Sequence, residues 1–317
     1  MKEQESRLFR CLSLGLVVVL LLPNLYVVIG QECVRTFQEV QGPFAFKNRF
    51  VSQQGNIYGV GIELSVVDNS RNVSRFPIPG SWDLRATYFL DEHLGYVVGD
   101  KGTISVTRDG GRSWKLLDST AKVDLNAINC VAANRCWAVG DSGTIIFTND
   151  GESWLQTRTL LEVDLFSVSF VSDRRGFAGG NDGKLYSSQD GGLTWQGVDR
   201  LPPQVAPRTE FDSVTWRSIQ FFDEQFGCVS SEYHAVCTRD GGTTWFWPDF
   251  LENEKQGGLI GLAKIEKKAV FLGSCGTDFV TTNRGKSWSE FTKSANADEK
   301  RLAPNSFGCG AAQKESS

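Results

Sequence analysis

The sequence predicts an all-β fold, and three observations carry that prediction. A tryptophan-ended turn motif recurs five times: TRDGGRSW ends at Trp114, TNDGESW at Trp154, SQDGGLTW at Trp195, TRDGGTTW at Trp245 and TTNRGKSW at Trp288. An apolar stretch precedes each motif, as in GYVVGDKGTISV, CWAVGDSGTIIF, GFAGGNDGKLYS, GCVSSEYHAVC and VFLGSCGTDFV. No long window shows the 3.6-residue period of a helix, whereas short runs rich in Val, Ile, Phe and Tyr alternate with turn residues.

The tryptophans stand 40, 41, 50 and 43 residues apart. Each unit reads as four short strands. The first covers Ala86–Leu90, Ala127–Val131, Ser167–Val171 and Ser218–Phe222 in successive units. The second carries the GYVVG-like run, the third the TISV-like run, and the fourth begins at the Trp. A four-stranded unit repeating every 40–45 residues is the signature of a β-propeller blade. One blade cannot bury both of its faces, so neighbours must stack around an axis.

Phe44–Phe76 is long enough for a further, degenerate blade without a Trp motif. The expectation is therefore six four-stranded antiparallel blades, with seven as the alternative. Residues 31–43, or the tail after Phe291, are expected to lend a strand to a terminal blade if the ring needs one. Residues 31–293 are expected to form the propeller and residues 294–317 a C-terminal tail.

The first 30 residues read differently. Lys2, Arg7 and Arg10 precede an apolar run from Cys11 to Ile29 that Pro23-Asn24 interrupts. A basic start, a short apolar core and a small residue at its end read as an export signal, with a signal anchor as the alternative. The chain is expected to be exported: secreted, periplasmic or in an organelle lumen, or anchored in a membrane by this segment. Composition is otherwise that of an ordinary globular protein, with 40% hydrophobic and 22% charged residues. The formal charge of −4 becomes −5 once residues 1–30 are removed, which offers no broad attraction for nucleic acid.

The motif explains its own composition. Asp109, Asp190 and Asp240 sit five residues before their Trp, where a short acceptor can bond the backbone N–H groups of the turn. The aligned residues in the other two motifs are Asn149 and Asn283, which can make the same bonds. Gly111, Gly192 and Gly242 can take a positive φ, and Trp114, Trp154, Trp195, Trp245 and Trp288 supply apolar anchors. The expected role is structural, because motifs repeated once per blade point outward around a ring.

Of eight cysteines, Cys11 lies in the leader. The rest match no zinc spacing, so no metal and no cofactor are expected. Cys130 and Cys136 flank the first turn of their blade. Cys228 and Cys237 flank a hairpin whose turn centres on Glu232-Tyr233. Both pairs suit disulfides if their Cα atoms approach within about 6–7 Å. Cys33–Cys309 would staple the termini, with Cys33–Cys275 and Cys275–Cys309 as alternatives. Asn72-Val-Ser is a glycosylation sequon, usable in a eukaryotic secretory route.

Candidate binding residues lie on the face opposite the Trp motifs, where the second-to-third turns fall. Aligning the first strands puts Arg85, Asn126, Phe166 and Arg217 at equivalent positions near the axis. Tyr233 lies on the same face, and the long connection 197–213 adds Arg200 and Arg208. An arginine patch there would suit a protein or an acidic ligand.

The repeated S/T-x-D-x-G-x-S/T-W pattern is the Asp-box, or BNR repeat. The units GYVVGDKGTISVTRDGGRSW and CWAVGDSGTIIFTNDGESW resemble the photosystem II stability/assembly factor family over roughly residues 82–290. The resemblance implies a non-enzymatic extracytoplasmic factor, usually of seven blades, that binds membrane-protein subunits during assembly. The rival readings are a sialidase-like glycoside hydrolase and a lectin-like glycan-binding module. The first would need arginines such as Arg75 and a Tyr–Glu pair such as Tyr233 and Glu232. The second would need exposed aromatics, for which Trp216 and Trp247 are the candidates.

Overall fold

The computed structural model describes residues 48–51, 57–60, 64–67, 73–76, 78, 83–157, 159, 161–198, 201–202, 214–252, 259–265, 268–273 and 279–290. These residues form six antiparallel sheets and no α-helix. Among them no helix is long and apolar enough to cross a membrane. The leader, Asn72, Cys33, Cys275, Cys309, Arg200 and Arg208 lie outside the described residues.

Sheet 1 holds β1 (Asn48–Val51), β2 (Ile57–Val60), β3 (Leu64–Val67) and β4 (Val73–Phe76). Sheet 2 holds β5 (Leu84–Phe89), β6 (Gly95–Gly99), β7 (Ile104–Thr107) and β8 (Lys115–Leu117). Sheet 3 holds β9 (Leu125–Ala132), β10 (Arg135–Gly140), β11 (Ile145–Thr148) and β12 (Trp154–Gln156). Sheet 4 holds β13 (Leu165–Phe170), β14 (Gly176–Gly180), β15 (Leu185–Ser188) and β16 (Gln196–Gly197). Sheet 5 holds β17 (Ser218–Phe221), β18 (Gly227–Ser230) and β19 (Ala235–Thr238); sheet 6 holds β20 (Leu259–Ile265), β21 (Lys268–Gly273), β22 (Phe279–Thr281) and β23 (Ser289–Glu290).

Strands pair in sequence order within every sheet. The first strands of successive sheets lie beside one another, β1 by β5, β5 by β9, β9 by β13, β13 by β17 and β17 by β20. That is the propeller arrangement, with first strands innermost. The segment lacking a Trp motif is a full four-stranded sheet, as is sheet 6. The segments expected to lend a strand, 31–43 and the tail, fall outside the described residues. Sheet 5 has three strands; its fourth shrinks to a bridge between Cys237 and Phe246. Pro248 follows two residues later and has no N–H to extend the pairing.

The core lies between sheets. In β10, Cys136 and Ala138 pack with sheet 2, while Trp137 and Val139 pack with sheet 4. Alternate side chains leave a strand on opposite faces, so a strand covered on both sides reads as an unbroken apolar run. The GYVVG and CWAVG runs are that signal, and β6 is buried along its whole length.

The second strand also locks onto the next sheet's Asp-box. The Tyr96 hydroxyl donates to the carbonyls of Ala133 (3.0 Å) and Gly151 (3.2 Å), and Trp137 Nε1 donates to the Gly191 carbonyl (2.8 Å). Trp137 also stacks on Phe170 with ring centroids 3.5 Å apart. Gly192 has φ +84°, and a Cβ there would meet Trp137 Nε1 at 2.8 Å, so only glycine suits that corner.

Within the boxes the aspartates bond the turn. Asp109 Oδ1 accepts from the Ser113 N–H (2.8 Å) and the Thr107 hydroxyl (2.8 Å), and Oδ2 accepts from the Ser113 hydroxyl (2.6 Å). Asp190 and Asp240 make the same set with Thr194 and Thr244, and Asn283 accepts from the Thr281 hydroxyl and the Ser287 N–H. The second box corrects the expectation for Asn149: Asp150 takes the position, accepting from the Thr148 hydroxyl and the Ser153 N–H. This box has one residue fewer between Asp and Trp, so counting back from Trp154 reaches the wrong residue. The distance that holds is forward from the Thr or Ser, two residues in all five boxes. Trp114, Trp195 and Trp245 donate Nε1 to the box glycines Gly111, Gly192 and Gly242. The Nε1 atoms of Trp154 and Trp288 are buried without a protein acceptor.

Disulfides join Cys130 to Cys136 and Cys228 to Cys237, with Cα atoms 4.0 and 4.1 Å apart. Both are directly opposed cross-strand pairs, in β9–β10 and β18–β19. The Ser231 N–H bonds the His234 carbonyl, so Glu232-Tyr233 form the centre of the second hairpin's turn.

Candidate functional site

The face opposite the Asp-boxes brings Arg85 to Asn126 and Phe166 to Arg217, and in sheets 2 to 4 the strand register shows why. The first strands start at Leu84, Leu125 and Leu165, two residues before the expected starts. Leu84 pairs with Gly99 and Ala86 with Val98, which leaves Arg85 in a bulge. Asn126 and Phe166 occupy the same bulge in sheets 3 and 4, and Ile260 in sheet 6. A bulge leaves one residue out of the ladder and re-aims its side chain. In sheets 2, 3 and 4 it puts Arg85, Asn126 and Phe166 at equivalent places on neighbouring inner strands.

Arg85 is the hub on one side. Its Nε donates to Asp100 Oδ1 (2.7 Å), Nη1 to Asn126 Oδ1 (2.8 Å) and Nη2 to Asp124 Oδ2 (2.5 Å). Asn126 Nδ2 passes the chain on to Asp141 Oδ1 (2.8 Å) and to the Leu165 carbonyl (3.0 Å). Burial opposes the charge of Arg85, but the bond to Asp100 and the charges of Asp100, Asp124 and Asp141 outweigh it and hold its pKa above the usual range. Arg85 therefore departs from the expected free arginine patch: its donors are committed to a carboxylate of its own sheet and to a carboxylate and a carboxamide of the next.

An aspartate precedes the first strands of sheets 2, 3 and 4, and in sheets 3 and 4 its carboxylate ties that sheet to the one before. Asp124 Oδ1 accepts the Lys101 N–H (2.9 Å) and Asp164 Oδ1 the Ser142 N–H (2.9 Å), at turn residues with φ +54° and +53°. Sequence reasoning missed this pair. The signal was present: Asp83-Leu84, Asp124-Leu125 and Asp164-Leu165 recur 41 and 40 residues apart.

The other side of the axis is built differently. The Arg217 guanidinium lies over the Phe166 ring, 5.3 Å from its centroid. Arg217 is exposed and Phe166 half-buried. Tyr233, at the tip of the β18–β19 hairpin, is 64% exposed. A hydrogen bond to Glu232 and that carboxylate's charge raise the Tyr233 pKa. Of the aromatics expected to be exposed, Trp216 is fully buried and donates Nε1 to the Gly183 carbonyl (2.9 Å), while Trp247 is half-buried and packs against the core of sheets 4 and 5.

Residues 77–160 match the family model described as photosynthesis system II assembly factor YCF48. The match spans sheets 2 and 3, the half of the site centred on Arg85. No curated protein matches the chain. Among solved structures, "YCF48 bound to D1 peptide" is 18% identical, with a TM-score of 0.55 over 74% of this chain and 76% of that one. YCF48 from Cyanidioschyzon merolae is 13% identical, with a TM-score of 0.52 over 73% and 93%. The GH74 enzyme of Niastella koreensis is 13% identical, with a TM-score of 0.58 over 81% and 47%. At these identities the structural likeness speaks to fold alone. The chain is an Asp-box β-propeller that resembles the photosystem II stability/assembly factor family.

Proposed function

We propose that the chain is a non-catalytic, exported propeller that binds a protein partner, as an assembly factor does, and that the partner is a membrane-protein subunit at the extracytoplasmic face. The observation that carries this reading is the run of contacts from Arg85 to Asn126, on to the Leu165 carbonyl, and from Phe166 to Arg217, on the face free of Asp-box turns. A related fold has been solved with a peptide of D1 bound, which makes a peptide ligand a natural choice for this face. The two disulfides suit an oxidising compartment.

The chemistry of the site favours binding over glycoside hydrolysis. Asp100, Asp124 and Asp141 accept hydrogen bonds from Arg85 or Asn126. The test is capture from solubilised membranes by the immobilised chain, alongside turnover of a fluorogenic sialoside. Recovery of membrane-protein subunits without turnover supports the proposal. Turnover that is lost in Arg75→Ala, or recovery of glycans without protein, overturns it.

A further inference from the structure

In sheets 2 and 3 the axis-facing residue bonds a turn residue 15 positions later: Arg85 bonds Asp100, and Asn126 bonds Asp141. The same offset pairs Phe166 with Asn181 in sheet 4 and Arg217 with Glu232 in sheet 5. Neither of these pairs is joined. A phenyl ring has no donor, and Asn181 Oδ1 is buried without a hydrogen-bond partner. Arg217 stacks on Phe166 instead, with no carboxylate partner among the described residues. The two residues, Arg217 and Asn181, stand side by side on neighbouring sheets. The Trp216 N–H donates to the Gly180 carbonyl (2.9 Å), so Arg217 and Asn181 flank one hydrogen bond between sheets 4 and 5.

The closed half displays what an occupant of the open half would look like. Asn126 is a carboxamide set between a guanidinium and an acceptor: its oxygen accepts from Arg85 and its nitrogen donates to Asp141. The open half offers a guanidinium, Arg217, and an acceptor, Asn181 Oδ1, with Phe166 holding the position from which Asn126 donates in sheet 3. A carboxylate would satisfy Arg217 and leave Asn181 without a donor, and an ammonium would do the reverse. A carboxamide carries both groups.

We infer that the sheet 4–5 half of the axis is a seat for a carboxamide side chain, an Asn or Gln of the partner, which displaces the Phe166 ring and bonds Arg217 through its oxygen and Asn181 through its nitrogen. This rests on the protein-binding reading and names the chemistry of its partner. An unpaired buried acceptor is costly, so its satisfaction by the partner favours the bound state.

The test titrates the full-length, 15N-labelled chain with three capped tripeptides, acetyl-Gly-X-Gly-N-methylamide, where X is Gln, Glu or norleucine. The Gln peptide is expected to shift the Arg217 Nε–H signal and to bind at least about five-fold more tightly than either of the others, a difference near 1 kcal/mol. Arg217→Ala should abolish that preference. Phe166→Asn, which supplies the missing donor from within, should also abolish it while leaving the fold at least as stable. Equal or tighter binding of the Glu peptide, an unchanged preference in Phe166→Asn, or no Arg217 shift with any peptide would overturn the inference. Capture of membrane-protein subunits that persists undiminished in both variants would overturn it too, with the protein-binding reading intact; failure of the unaltered chain to capture any protein would count against that reading instead.

Discussion

Arg85 of sheet 2 and Asp124 of sheet 3 form a 2.5 Å ion pair across the seam between two sheets, with both side chains about three-quarters buried. Asp124 uses its other oxygen to accept the Lys101 N–H of sheet 2. One carboxylate thus joins two sheets twice, at their narrow inner edge. Asp124→Ala removes both bonds and leaves Arg85 partly desolvated. The expected loss is about 2 kcal/mol in denaturant unfolding, the scale of a hydrogen bond to a charged group. Asp124→Asn should recover part of it, because the amide oxygen can still accept from Lys101.

The second Asp-box gives a sharp comparison. Asp150 accepts the N–H groups of both Glu152 and Ser153, whereas Asn149 is exposed and takes no part in these turn bonds. Asp150→Ala should cost about 1 kcal/mol, as loss of a local backbone cap does. Asn149→Ala should stay within about 0.5 kcal/mol, the usual range for a surface change. Thermal unfolding of the two variants separates them.

Acid should act through the boxes. Burial opposes charge at Asp109, but its bonds to Ser113 and Thr107 bring its pKa down to about 2, and Asp190 and Asp240 are lowered by the same geometry. A carboxylate whose pKa is depressed by folding stabilises the fold fully above its unfolded value, near 3.8. That contribution fades as pH falls toward 2. Stability measured from pH 5 down to pH 2 should therefore decline. Asp109→Asn should decline less steeply over the same range.

The disulfides close short loops between adjacent strands, with sequence separations of 6 and 9. Replacing either pair with alanines should cost about 2–3 kcal/mol on the loop-entropy scale. Because Cys136, Cys228 and Cys237 are fully buried, reductant should act slowly on the native chain and quickly once it is unfolded in denaturant. Thiol titration over time checks this.

The repeat made the fold readable. Strands with both faces covered carry unbroken apolar runs, and the boxes mark the turn after the third strand in sheets 2 to 6, so the order of those sheets follows from spacing. Sheet 1 was legible only as length and strand-like runs. Two features were hidden for physical reasons. The strand starts at Leu84, Leu125 and Leu165 lie beyond a bulge, where alternation breaks and pattern reading stops. The deletion in the second box is invisible when counting from Trp154 and plain when counting from Thr148. At the site, aligning first strands placed Arg85 beside Asn126 and Phe166 beside Arg217. Their chemistry was not legible, because the acceptors that hold Arg85 come from a turn and from the next sheet. Trp216 looked like a surface aromatic by its loop position, yet it takes the buried place of Leu165 in the preceding sheet.

The central claim is that the axis face, and not the Asp-box face, recognises the partner. The direct measurement is capture of membrane-protein subunits by three single variants: Arg217→Ala at the axis, Tyr233→Ala at the rim of the same face and Arg112→Ala on the box face. The account predicts at least about ten-fold weaker capture for Arg217→Ala, equivalent to 1.4 kcal/mol, a smaller loss for Tyr233→Ala, and none for Arg112→Ala. Undiminished capture by Arg217→Ala together with loss in Arg112→Ala would contradict it.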